Sequence, residues 1–151
     1  MPTYEPTVFS YAAGKTRRFI DKHLVYSVLP DNLLNLDRYH TFRAQNAEMH
    51  QIYSIEHHLL ELDPIAAIEP LEKQAYPGLT TVQMKRLLLY IKQTINQLPD
   101  YDRVQNYYFL HAAPEDKLDN RPQMSRNGVA YNGTIVRGYR REDLLRGGLL
   151  S

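Results

Sequence analysis

Between Pro30 and Pro64 the chain runs without a single glycine or proline. That uninterrupted stretch constrains the fold more than any other feature, because nothing in it forces the backbone to turn. In "DNLLNLDRYHTFRAQNAEMHQIYSIEHHLLELD" the side chains of Tyr39, Phe42, Met49, Ile52, Tyr53, Leu59 and Leu60 line one broad helical face, and Ile55 and Leu62 widen it. Asp31 stands where a carboxylate accepts from the N–H groups of a first turn, and Asp63-Pro64 supplies a stop. The pattern predicts one nearly continuous helix over residues 31–62, roughly 45 Å long at ~1.5 Å per residue. A run of non-helical residues near Asn46 would defeat it.

The flanking segments extend this reading to an all-α fold, a small helical bundle made of the long helix and a helical hairpin. Phe19, Ile20, His23, Leu24 and Val28 recur at helical intervals until Pro30. "PIAAIEPLEKQAYPG" is a connector with a helical turn or two, broken by Pro70 and Pro77. "TTVQMKRLLLYIKQTINQL" predicts a helix opened by a Thr80/Gln83 capping box, with Met84, Leu87, Leu88, Ile91, Ile95 and Leu98 as its stripe. "DYDRVQNYYFLHAAP" predicts a further helix capped by Asp100 and stopped at Pro114, antiparallel to the one before across the short Leu-Pro-Asp join. The expected organisation is an extended N-terminal arm over 1–14, a helical domain over 15–114 and a C-terminal arm over 115–151.

That last arm begins with a polar, turn-rich linker, "EDKLDNRPQMSRNG". "VAYNGTIVRGY" then alternates around Asn132-Gly133, which suits a two-residue hairpin turn. A hairpin of this length is marginal alone in water and needs a neighbour. Leu144, Leu145, Leu149 and Leu150 follow, exposed on this reading.

Composition narrows function by exclusion. With 43% hydrophobic and 23% charged residues the chain is not broadly disordered, and with no cysteine it has no thiolate chemistry, disulfide or cysteine-ligated zinc. No apolar run approaches the ~18 residues of a membrane span, and "MPTYEPTVFS" has no secretory-signal pattern. Net charge is +1 but unevenly placed: residues 121–151 carry six basic and two acidic side chains, residues 31–120 eight and thirteen.

Candidate chemistry is sparse. Glu48, His50, Glu56, His57, His58 and Glu61 cluster in sequence, and on a helix His57 and Glu61 would share a face, as metal ligands do. No second segment supplies a matching Glu-x-x-His, so the plainer account is a solvated helix face, and no metal or cofactor is expected. No G-x-S-x-G elbow surrounds Ser27, Ser54, Ser125 or Ser151. "AAGKT" ends like a phosphate-binding loop but lacks the first glycine and a preceding apolar strand. Arg126, Arg137, Arg140, Arg141 and Arg146 with Tyr131 and Tyr139 could meet nucleic acid, but Glu142 and Asp143 interrupt them, and arginine and tyrosine are equally enriched in protein contacts.

The reading that fits best is a non-enzymatic structural subunit of a large assembly. A virion component of a virus or phage, such as a head–tail joining, neck or tail protein, suits a small armed subunit; an accessory subunit of a cellular organellar or cytoskeletal complex, or a small helical metalloprotein, are the alternatives. Its partners would be copies of itself and other subunits, with nucleic acid the second choice, in a virion or intracellular assembly rather than a secreted form. The residues expected to bind partners are Tyr4, Phe9, Tyr11, Tyr131, Ile135, Val136, Arg137, Tyr139, Arg140 and Arg141.

Overall fold

The computed structural model describes residues 7–131, 133 and 135–150. In chain order the elements are β1 (Thr7–Ala12), α1 (Arg17–His23), β2 (Val25–Val28), β3 (Tyr39–Arg43), β4 (Ser54–Leu62), α2 (Pro64–Glu72), α3 (Thr81–Gln97), β5 (Gln105–His111), β6 (Gln123–Arg126), β7 (Val129–Ala130), β8 (Arg137–Arg140), α4 (Arg141–Arg146) and β9 (Leu149–Leu150). The strands form three three-stranded sheets, so the expected all-α bundle gives way to a mixed architecture. Contacts divide the described chain into two units, the first of residues 7–17, 35–55 and 111–150, the second of residues 18–34 and 56–110.

The second unit packs helices on a sheet ordered β2-β5-β4. The helix α3 forms as expected: the Thr80 hydroxyl accepts from the Gln83 N–H at 3.1 Å and the Gln83 side-chain oxygen accepts from the Thr80 N–H at 3.0 Å. Its buried face, Met84, Leu87, Tyr90, Ile91 and Thr94, meets Ala67 and Leu71 of α2 and Tyr107 and Phe109 of β5. Each large apolar side chain buried there contributes about 1.5–3 kcal/mol relative to exposure. Asp63 caps α2, its Oδ1 accepting from Ile65 N–H at 3.0 Å, and Pro64 takes the first helical position, where its missing N–H costs nothing.

In the first unit, β1 is the middle strand of a sheet ordered β3-β1-β8. It runs parallel to β3, with Val8 opposite Tyr39, and antiparallel to β8, with Val8 opposite Tyr139. A smaller sheet ordered β7-β6-β9 completes the unit. Val8, Met49, Ile52, Leu118, Met124, Tyr139 and Leu144 form its core.

Four expectations are corrected here. Residues 31–62 are not a helix: they hold β3, an irregular stretch and β4. Asn35 and Asn46 decide this locally. Their side-chain oxygens accept from the N–H of Asp37 at 2.9 Å and of Glu48 at 3.1 Å, local turns that compete with helical bonding, and Ala47 follows at φ 67°. The segment expected as a third helix is β5, the middle strand of its sheet. Every residue of Gln105–Leu110 is buried, so it needs no polar face; Tyr107 and Phe109 enter the core, while the Tyr108 hydroxyl accepts from Leu34 N–H at 3.1 Å and Asn106 donates to the Pro30 carbonyl at 3.1 Å. The helix that packs with α3 is therefore α2. The arms are built into sheets: β1 and β8 pair with each other, and Leu144, read as exposed, is fully buried. Finally, the hairpin forms between β6 and β7 around Asn127 (φ 55°) and Gly128 (φ 80°), a second Asn-Gly step with the positive φ pair of a type I′ turn. Asn132 of the expected turn lies outside the described residues, and β8 pairs with β1 rather than with β7.

Candidate interaction surface

The histidine-rich stretch is divided by the fold. Glu48 and His50 lie in the first unit; Glu56, His57, His58 and Glu61 lie on β4 within the second. In a strand, residues four apart are separated by about 13 Å, so His57 and Glu61 do not converge as they would on a helix. His57 packs on Phe109 with ring centroids 5.8 Å apart, His58 stacks on Tyr108 at 6.4 Å, and Glu56 pairs with Arg86 at 2.5 Å. His50 accepts from Arg17 at Nδ1 (2.6 Å), leaving Nε2 to donate to Glu48 at 3.1 Å. Among the described residues no three His, Asp or Glu side chains gather in a metal-holding group.

The remaining motifs take structural places. A strand, β1, does precede Gly14-Lys15-Thr16, against the sequence reading, and the three residues form a tight turn in which the Thr16 hydroxyl donates to the Ala13 carbonyl at 2.8 Å. Ser27 is buried, its hydroxyl 2.8 Å from that of Tyr90. Burial raises the Tyr90 and Tyr107 phenols above their ordinary range, which keeps both neutral. No helix among the described residues is long and apolar enough to cross a membrane.

The residues expected to bind partners divide by burial. Tyr4 lies outside the described residues. Phe9 and Tyr11 are half-buried on β1, and Tyr11 stacks on His40 and shares a 3.1 Å hydrogen bond with its Nδ1. His40 donates from Nε2 to the Asn35 carbonyl at 2.9 Å, so Nδ1 is the acceptor; burial lowers its pKa below the ordinary histidine value, partly offset by that carbonyl. Tyr139 belongs to the core, its hydroxyl buried without a hydrogen-bond partner among the described residues; burial raises its pKa against the opposing charges of Arg43 and Arg137. Arg141 is held inward by two N–H groups on Asp116. Tyr131 is half-buried beneath Arg126, whose guanidinium lies 5.4 Å from its ring centre.

The other four are exposed along residues 135–140, a strip that is continuous in sequence. Ile135 is 42% exposed, Val136 51% and, beside the β6–β7 turn, Val129 67%. Arg137 and Arg140 are exposed on β8, the last strand of its sheet; Arg140 lies 3.6 Å from Glu142, and Arg137 has no ion pair among the described residues. Arg43 explains the display. Fully buried at the end of β3, it donates to the Ser10 hydroxyl at 2.7 Å, the Gly133 carbonyl at 2.8 Å and the Ile135 carbonyl at 2.7 Å. The Gly133 and Ile135 carbonyls of this strap thus meet a buried guanidinium, while the side chains of Ile135 and Val136 stand exposed. Sequence reasoning missed Arg43. It has no local signal, since its acceptors lie far along the chain.

The chain matches no protein-family model, no curated protein and no solved structure. A virion or phage role thus has no relative or fold neighbour behind it, and its all-α premise is overturned by the three sheets.

Proposed function

We propose that the protein is a non-enzymatic subunit of a multi-subunit assembly, docking on a neighbouring protein through the strip of Ile135, Val136, Arg137 and Arg140. The observation that carries this reading is the Arg43-anchored strap, which spends a buried cation on holding β-branched side chains in water beside an arginine without an ion pair. Burying such a side chain on a partner returns about 1.5–3 kcal/mol each, and arginine suits the rim of such a contact. A protein partner is favoured over nucleic acid because Tyr139 is buried and Arg126 takes one face of the half-buried Tyr131, which leaves little aromatic surface for base stacking.

In extracts of cells that make it, the full chain should migrate with particles several-fold heavier than its own 17.7 kDa. The triple variant Ile135→Ser, Val136→Ser, Arg137→Glu, folded by circular dichroism, should migrate free. Wild-type protein found only as free monomer there would overturn the reading.

A further inference from the structure

Resting on that docking reading, we infer that the neighbour is a second copy of this chain, engaged at the corner where β4 runs into α2. This corner is the strip's opposite in charge and its like in character. Leu60 is 49% exposed and Ile65 52%, both apolar side chains in water beside exposed Glu61 and Asp63. Asp63 is occupied in capping α2, whereas Glu61 has no ion pair among the described residues. The pair left open by each patch is thus Arg137 on one copy and Glu61 on the other. The units repeat the contrast: over the described residues the first carries eleven basic and seven acidic residues, the second seven and nine.

Backbone geometry points the same way. β8 and β4 each end their sheet, so each has one side with no strand neighbour among the described residues. Open edges of this kind accept strands from another chain. Strip and corner are different patches of one chain, so the contact either closes reciprocally between two copies or runs on to further copies. Two apolar side chains against two make a contact at the small, transient end of the range, below ~1,200 Å², so association depends on concentration and on salt.

Sedimentation of the purified full-length protein tests this, across concentrations at low and high salt. At low salt the mass should rise above 17.7 kDa with concentration and fall back in high salt. Arg137→Glu and Glu61→Arg, both at exposed positions, should each weaken association about tenfold or more by setting like charges face to face. The double variant should recover association to within about threefold of wild type, because the reversed charges meet again. A double variant no better than the single ones overturns the inference, as does wild-type protein that stays monomeric throughout. In that last case heavy particles in cell extracts would leave the docking reading standing with a different partner, and free monomer in extracts would remove both.

Discussion

Both units use an arginine to satisfy main-chain carbonyls, and to different ends. In the second, Arg86 reaches from α3 to the carbonyls of His23 (3.1 Å), Leu24 (2.6 Å) and Leu110 (2.9 Å), with Glu56 on the same guanidinium. It ties α1, β2's approach and β5 together where they already share a core with α3. In the first, Arg43 is fully buried and holds the carbonyls of Gly133 and Ile135, ahead of β8. The same chemistry stabilises a core in one case and shapes a surface in the other.

Replacing each arginine by methionine breaks the comparison most sharply. Arg86→Met should cost about 3 kcal/mol, because three carbonyls and a carboxylate lose their donor. Urea denaturation followed by helix signal measures it, and a loss under about 1 kcal/mol would mean that water replaces the guanidinium at little cost. Arg43→Met should cost less in that assay while speeding amide exchange over residues 135–140; equally faster exchange in α3 would contradict the contrast. A smaller effect belongs to the α3 cap: Thr80→Ala should cost about 1 kcal/mol, with fraying confined to the first turn.

The smallest effect distinguishes the units by pH. Because burial lowers the His40 pKa, the folded first unit resists a proton that the unfolded chain accepts near pH 6.5. Its stability is then full above about pH 6.5 and declines as pH falls below that value toward the folded pKa. NMR titration of the His40 ring should give a midpoint below 6.5, and a midpoint at or above it would refute the assignment of cause.

The two units also differ in how far the sequence reveals them. Everything needed for α3 lies within its own residues: the Thr80/Gln83 box, a stripe at helical spacing and no proline. The expectation over 31–62 fails because a helical periodicity of apolar residues is also satisfied by strands separated by turns, and the side chains of Asn35 and Asn46 settle the matter in favour of turns. The β5 sequence fails for a related reason, since a run buried on both faces shows no period at all. For the candidate surface, apolar alternation near Ile135 and Val136 and the concentration of arginines are visible locally. Their display depends on Arg43 and on the β1–β8 pairing, contacts between the two ends of the chain that no local pattern carries.

That pairing has a consequence for synthesis. Val8 is made early and Tyr139 late, yet they stand opposite each other in one sheet. A ribosome delivers all of the second unit, through residue 110, before β8 exists. The second unit therefore has the means to fold during translation, while β1 waits with one side unclosed, a template for misplaced strands. A chain cut short at its C-terminus loses the strand that ends this wait, and its first unit becomes the part that chaperones must hold.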